Sequence, residues 1–353
     1  MTKSRFESIG TYLPSTVLST KELVGRLATA PPFDLEAITG VVDRRVSDTR
    51  AESYEDSFTL ALNAARDALS RSRYRADEID VIISTSISRS KNRDTMYLEP
   101  SFASMLAKEL GVRGGGSAPI TFDLSNACAG MLSGVYVLDR MIRSGAVRTG
   151  IVVSGEHITP ISETAVSEIS EKYDLQFASL SVGDSGAAVV LDRAVDEDDK
   201  IDYIELMTAS EYSNLCLGMP SEQTPGIALY TDNRRMHNES RFLLWTNAQK
   251  EFLAARGRTF ADEDFDFVIH HQFGASAVLM LNALGEREFE TPMPPPLNVV
   301  EKYGNTSSTS HFVVLHDHLK DKAVPRGSKI LMVPAASGIV TGYVSATISS
   351  LEV

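Results

Sequence analysis

Two stretches about half a chain apart carry the same signals in the same order, and nothing else in the sequence constrains the fold as tightly. Residues 63–83 read NAARDALSRSRYRADEIDVII, and residues 247–269 read NAQKEFLAARGRTFADEDFDFVI. Each gives an amphipathic helical pattern, a short basic turn, an acidic Ala-Asp-Glu step and an apolar run suited to a buried strand. Helix–turn–strand units look alike in many α/β proteins, but here both order and spacing recur, which points to a duplication.

Further apolar, β-branched runs fit the same style. Ile120 to Leu124 leads toward Cys128, Thr149 to Ser154 follows a helical stretch, and Gly186 to Leu191 closes the first half. Ser328 to Val333 and Gly342 to Ile348 do the same near the end. Continuous apolar strands alternating with helices imply sheets covered on both faces. The acidic stretch Asp196 to Lys200 reads as a solvated boundary, dividing the chain into halves 1–195 and 196–353.

The 353 residues suffice for a large core, with 43% hydrophobic and 23% charged residues, as in globular proteins. No apolar run approaches the ~18 residues of a membrane span, and MTKSRFESIG lacks the apolar core of a signal peptide. With Cys128 and Cys216 too few for a disulfide framework, a cytoplasmic protein with free thiols is expected. The net charge of −13 opposes nonspecific nucleic-acid binding, although an acidic partner can still dock on a local basic patch. No phosphate-binding glycine loop, dinucleotide turn or zinc-spaced Cys/His pairs occur, so nucleotide and structural-metal sites lack a motif.

Cys128 lies where a strand gives way to small residues, Ser125-Asn126-Ala127-Cys128-Ala129-Gly130, that open a helix through Leu138. A thiol at a helix N-terminus is expected to have a lowered pKa, and small neighbours leave room for an acyl group and for N–H groups facing an oxyanion. Alone, such a cysteine is more often a buried small hydrophobe, and Cys216 fits that description. His271 follows the buried run Phe267-Val268-Ile269, a position from which a neutral imidazole reaches a cleft. Asn305 lies in a small-residue turn, Gly304 to Ser310, where asparagine is normally a cap or a left-handed residue. Pro334 to Gly338 is a small-residue loop between strands, suited to close backbone approach by a ligand.

Together these segments resemble the β-ketoacyl-acyl-carrier-protein synthase III branch of the thiolase superfamily. Ala127 to Gly130 matches its Ala-Cys-Ala-Gly turn, and Gly304 to Ser307 its Gly-Asn-Thr-Ser motif. His271-Gln272 matches part of its His-Gln-Ala-Asn motif, and Gly183 to Ala188 resembles its Gly-Asp-Gly-Ala-Gly-Ala segment. Ala336-Ser337-Gly338 stands at its triple-glycine loop; Ile9 to Pro14 and Thr39 to Arg45 also align. The resemblance implies a duplicated five-layer α-β-α-β-α thiolase fold, a homodimer and no cofactor. It implies Cys128 as the acyl-accepting nucleophile, and His271 and Asn305 as donors to the extender carbonyl in a Claisen condensation. The backbone N–H groups of Cys128 and Gly338 would form the oxyanion hole. Its substrates are thioesters on acyl carrier protein or coenzyme A.

Three departures turn the expectation away from fatty-acid priming. Phe33 to Ile38 offers neither the tryptophan nor the arginine that clamp adenine in priming enzymes. Gly274 replaces the motif asparagine, and Ala275 to Leu284 carries no basic residue for carrier docking, leaving Arg234-Arg235 and Arg256/Arg258 as candidates. The segment Glu156 to Ser181 is longer, which can reshape the acyl tunnel or the dimer contact. The expectation is a ketosynthase of polyketide or related secondary metabolism that joins carrier-bound or β-ketoacyl chains. The alternatives are acyl transfer from Cys128 to a hydroxyl or amine, and fatty-acid initiation from acyl-CoA. A papain-like protease would also use Cys, His and Asn, but its local Cys-Gly-Ser-Cys-Trp context is missing. A non-catalytic partner subunit would be expected to lose Cys128 or His271.

Overall fold

The structure is a computed structural model describing residues 3–353, apart from 30, 51, 94, 113–118, 237–238 and 352. Its strands in the first half are β1 (Ser4–Tyr12), β2 (Thr16–Ser19), β3 (Asp43–Val46), β4 (Val81–Ser84), β5 (Ile120–Asp123), β6 (Thr149–Glu156) and β7 (Ser185–Arg193). Those in the second are β8 (Lys200–Thr208), β9 (Cys216–Pro220), β10 (Ile227–Thr231), β11 (Phe267–His270), β12 (Ser328–Val333), β13 (Ala335–Ala336) and β14 (Val340–Ile348). Two five-stranded sheets result, β1-β7-β6-β4-β5 and β11-β12-β14-β13, the latter with β8 pairing β14. No strand of one half enters the main sheet of the other, so the sheets divide across the acidic 194–199 connection.

Pairing repeats as well. In the first sheet β6 runs parallel to β4 and antiparallel to β7, which is antiparallel to β1. In the second, β12 is parallel to β11 and antiparallel to β14, which is antiparallel to β8. The two repeated stretches occupy matching places. One is the helix Ser57–Arg71, the turn Ala76–Glu78 and β4; the other is the helix Glu239–Ala254, the turn Ala261–Glu263 and β11.

The continuous apolar runs exist because each sheet is covered twice. Val81 and Ile83 face the middle of the molecule while Ile82 faces outward, and all three are buried. The outward side of the first sheet packs on the helices Ser57–Arg71 and Phe102–Glu109. Between the sheets lie the helices Gly130–Arg143 and Ser310–Lys320, whose Leu132, Val135, Phe312 and Val314 join one central core with both sheets. Outside the second sheet, Trp245 and Leu253 of the helix Glu239–Ala254 cover Val268, Leu331 and Tyr343, with the helix Ala275–Phe289 alongside. Five layers follow, as the resemblance implies. Close packing matters at the C-terminal end of β6, where a Cβ on Gly155 would lie 2.0 Å from Ser57 O. Glycine there lets the helix Ser57–Arg71 seat directly on the strand that ends in Glu156.

Candidate active site

Cys128 is the middle residue of a tight turn, Ala127–Ala129, that feeds the buried helix Gly130–Arg143. Ala127 holds φ at +45°, a left-handed conformation costly for a residue with a Cβ, and such strain marks functional turns. The helix has no side-chain N-cap, so its first N–H groups stay free of side-chain acceptors. Gly130 packs tightly, since a Cβ there would lie 3.1 Å from Thr85 O. The thiol sits 3.8 Å from Ser307 Oγ. Burial pushes the Cys128 thiol up to about 12, which corrects the expectation of a lowered value. The helix N-terminus favours thiolate, and burial acts in the opposite direction.

The second half supplies the facing wall. His271 follows β11, and its backbone N–H donates to Val333 O at 3.1 Å, which fixes the residue against β12. Its ring is buried, stacks at 6.0 Å on His311, and its Nδ1 has no hydrogen-bond partner among the described residues. Burial pushes its pKa down to about 3, so the imidazole is neutral. His270, one residue earlier, turns into the outer core against Trp245 at 5.9 Å and Asn282 at 3.4 Å.

Asn305 is tied down on both backbone sides: its N–H donates to Ser181 O at 2.9 Å, and its carbonyl accepts from Gly183 N–H at 3.0 Å. Its side-chain Oδ1 accepts the Ser307 N–H at 2.9 Å, leaving the amide NH₂ as the donor for a ligand. Asp184, in the segment resembling the Gly-Asp-Gly-Ala-Gly-Ala motif, is a buried anchor. It accepts the N–H groups of Ser47, Ile158 and Thr159 within 2.8 Å.

Cys128, His271 and Asn305 line one cavity of about 950 Å³. Among the described residues, most other lining groups are apolar, with Phe33, Leu35, Phe177, Leu229, Ile339 and Val340 on its walls. Tyr173, Leu175 and Phe177 bring the 156–181 segment into the lining. Ile38, Tyr173 and Leu175 are exposed apolar residues of the lining. Ser337 and Ile339 belong to the lining while Gly338, at φ +81°, lies between them. Of the basic candidates, exposed Arg234 lines the cavity. Arg256 lies over the Phe252 ring at 3.5 Å, and Arg258 pairs with Glu263 at 3.0 Å. The helix from Ala275 also runs on to Phe289 and includes one basic residue, Arg287, which is paired with Glu239 and Glu288.

Sequence reasoning misplaced Cys216 and did not single out Ser307 or Arg241. Cys216 is not a core hydrophobe. It lines the cavity, and its sulfur accepts from Ser337 Oγ at 3.0 Å and lies 3.4 Å from Thr231 Oγ1. Arg241 also lines the cavity, with its guanidinium 4.2 Å from the centre of the Tyr212 ring. Among the described residues no His/Cys/Asp/Glu group is arranged to hold a metal, and no helix is long and apolar enough to cross a membrane.

Family models for 3-oxoacyl-[acyl-carrier-protein] synthase III match residues 122–210, and for its C-terminal part residues 256–348. A β-ketoacyl-[acyl-carrier-protein] synthase III of Alkalilimnicola ehrlichii is 29% identical over 97% of this chain and 98% of its own length. The acyl-CoA:acyl-CoA alkyltransferase of Xanthomonas campestris pv. campestris is 27% identical over 91% of this chain and 92% of its own. Cerulenin-bound Xanthomonas campestris OleA superposes with a TM-score of 0.81 at 25% identity, covering 98% of both chains. Both models, the whole-chain relatives and the duplicated layers agree: the chain is a 3-oxoacyl-[acyl-carrier-protein] synthase III-like condensing enzyme, an acyltransferase of the thiolase superfamily.

Proposed function

We propose that the enzyme joins two acyl thioesters, at least one of them long or already a β-ketoacyl chain, and works in secondary metabolism rather than in fatty-acid initiation. The observation that carries this reading is the cavity holding Cys128, His271 and Asn305. At about 950 Å³ it lies near the top of the ~300–1,000 Å³ range of small-molecule sites, and it is walled by phenylalanine, leucine and isoleucine. An acetyl group needs far less apolar wall. The likeness to an alkyltransferase that takes two acyl-CoA molecules supports the same direction.

In this mechanism Cys128 Sγ attacks the first thioester carbonyl, its proton leaves with the departing thiol, and the acyl group becomes a Cys128 thioester. The backbone N–H groups of Cys128 and Gly338 would hold the tetrahedral oxyanion. The second thioester then loses its α-proton or its carboxyl group as CO₂. His271 and the Asn305 amide donate to its carbonyl as the enolate forms. The enolate carbon bonds to the acyl carbon and Cys128 sulfur is expelled. None of these steps calls for a redox group. Arg234 at the cavity suits the phosphate of a pantetheine arm, whether on coenzyme A or a carrier protein.

A homodimer belongs to the same reading. The first sheet ends at β5, whose Ile120 is exposed, and the nearby loop exposes Met96 and Leu98. An edge strand beside exposed apolar residues suits pairing with a second copy. The test of the function is incubation with a panel of acyl-CoA and acyl-carrier thioesters, with products identified by mass. A β-keto product from two chains is expected; exclusive transfer of the acyl group to a hydroxyl or amine would overturn the condensation step.

A further inference from the structure

Glu156 ends β6 fully buried, and the chemistry above makes no use of it. Its Oε1 lies 2.5 Å from Ser308 Oγ and 2.9 Å from Ser154 Oγ, and those two hydroxyl oxygens are 2.8 Å apart. Oε1 also accepts the Ile87 N–H at 3.2 Å, and Oε2 lies 3.4 Å from the N and Oγ of Ser88. Among the described residues no lysine or arginine pairs with it. Protons can be counted around the triangle. If Glu156 is ionised, two hydroxyl hydrogens serve three contacts, and one side of the triangle is left without a hydrogen. If Glu156 carries a proton on Oε1, three hydrogens serve three contacts and the triangle closes.

We propose that Glu156 is a positioning residue that works as a neutral carboxylic acid, closing a hydrogen-bonded ring with Ser154 and Ser308 that pins the Asn305–Thr309 turn against Cys128. The proposal rests on the assignment of Cys128 as nucleophile. Ser308 follows Ser307, whose hydroxyl faces the Cys128 sulfur at 3.8 Å and whose N–H orients Asn305. Burial pushes the Glu156 carboxyl up to about 7, in keeping with the proton count. Ionisation breaks the ring and places a negative charge in the field of Cys128, where it opposes thiolate formation.

The other titratable groups around Glu156 are occupied elsewhere. Asp56 caps the helix Ser57–Arg71 through Thr59 N–H, and Arg89 pairs with Asp123. Asp184 accepts backbone N–H groups of Ser47, Ile158 and Thr159, and the ring of His157 packs edge-on to Tyr54 at 6.3 Å. Cys128 is a titratable group on which the Glu156 charge acts directly.

The experiment is the pH dependence of Cys128 alkylation by iodoacetamide on the full chain, followed by peptide mass, in wild type and Glu156→Gln. The ratio of variant to wild-type rates is expected to be near one at about pH 6. It should rise to about three- to tenfold at about pH 9, where the wild-type carboxylate is charged and the amide is not. A ratio that stays constant across this range overturns the proposal, because a merely structural role shifts rates equally at every pH. Should Glu156→Gln not fold, infrared difference spectra of the wild type decide. A protonated-carboxyl band at about pH 6, lost by about pH 9, is expected; no such band at pH 6 overturns the neutral acid. Alkylation requires no condensation, so a failed thioester panel with a rising ratio would sink the functional reading and leave this one standing.

Discussion

The two halves place the same device at the centre of the molecule and equip it differently. In the first half, β5 runs parallel to β4 and leads to Ala127–Ala129 and a buried helix. In the second, residues near Pro296 bridge in parallel to Val268 of β11, and the chain goes on to Ser307–Thr309 and another buried helix. Each turn opens on a residue forced to positive φ, Ala127 at +45° and Ser307 at +56°, and neither helix carries a side-chain N-cap. The middle residue of one turn is Cys128 and of the other Ser308. One faces the cavity as a thiol; the other is turned into the Glu156 network, while Asn305, just before that turn, lines the cavity. The repeated architecture brings two helix N-termini together, and under the proposed function the difference in their side chains separates nucleophile from donors.

Breaking the comparison at its two matching positions gives the largest contrast expected. Cys128→Ala should abolish the acyl adduct seen by intact mass and lower turnover about 10³-fold or more. Ser308→Ala, at the equivalent place, should still form the adduct and lose less than about tenfold in turnover. Equal losses would mean that the two turns are not differentiated as argued. A smaller contrast lies within the second half. Asn305→Ala should self-acylate at a near wild-type rate but condense about 10²-fold more slowly, as for loss of one oxyanion donor. Equal loss of both steps would remove Asn305 from the enolate step. His271→Ala should likewise cut condensation, whereas His270→Ala, in the outer core, should mainly lower the urea midpoint.

How legible this was from sequence depended on whether a residue's role is set by its neighbours in the chain. The repeated helix–turn–strand pattern and the continuous apolar strands are local signals, and they predicted the layered halves. Cys128, His271 and Asn305 were legible because each sits in a short motif, and the structure brings all three to one cavity. Cys216 was not, because Ser337, which donates to its sulfur, comes from a loop far along the chain. Nor was the protonation of the site. A helix N-terminus is visible in sequence and argues for thiolate, but the burial that pushes Cys128 up is a property of the whole cavity. Glu156 reads as an ordinary polar end to a strand until Ser308, far along the chain, closes on it.

Cavity walls should show weaker effects. Cys216→Ala is expected to leave the Cys128 adduct intact and change turnover by less than about threefold, since its sulfur accepts from Ser337 without facing a reacting atom in the mechanism above. Loss of the adduct in that variant would give Cys216 a part in acyl capture. Tyr173→Ala, in the long segment of the first half, should alter the preferred chain length by a few carbons, read from competing acyl-CoA substrates.

The smallest effect expected sets the halves against each other through pH. His270, His271 and His311, all buried in the second half, are pushed down to about 4, 3 and 4 by burial. Between those values and the ordinary histidine pKa of ~6.5 the unfolded chain binds more protons, so these groups make stability fall as pH drops through that window. Glu156 in the first half acts oppositely. Its carboxyl is held at about 7, above its unfolded value, so the folded chain binds the extra proton and gains stability as pH falls from about 7 toward ~4.5. These three histidines and His316, likewise pushed down to about 4 chiefly by burial, outnumber the one carboxyl and predict a net loss of stability from pH 7 to pH 5, measured as the urea midpoint. Glu156→Gln removes only the opposing contribution, so its midpoint should fall more steeply over the same interval than that of the wild type. A parallel fall in the two proteins would show that Glu156 is already ionised at neutral pH, and would break the opposition between the halves at its first-half end.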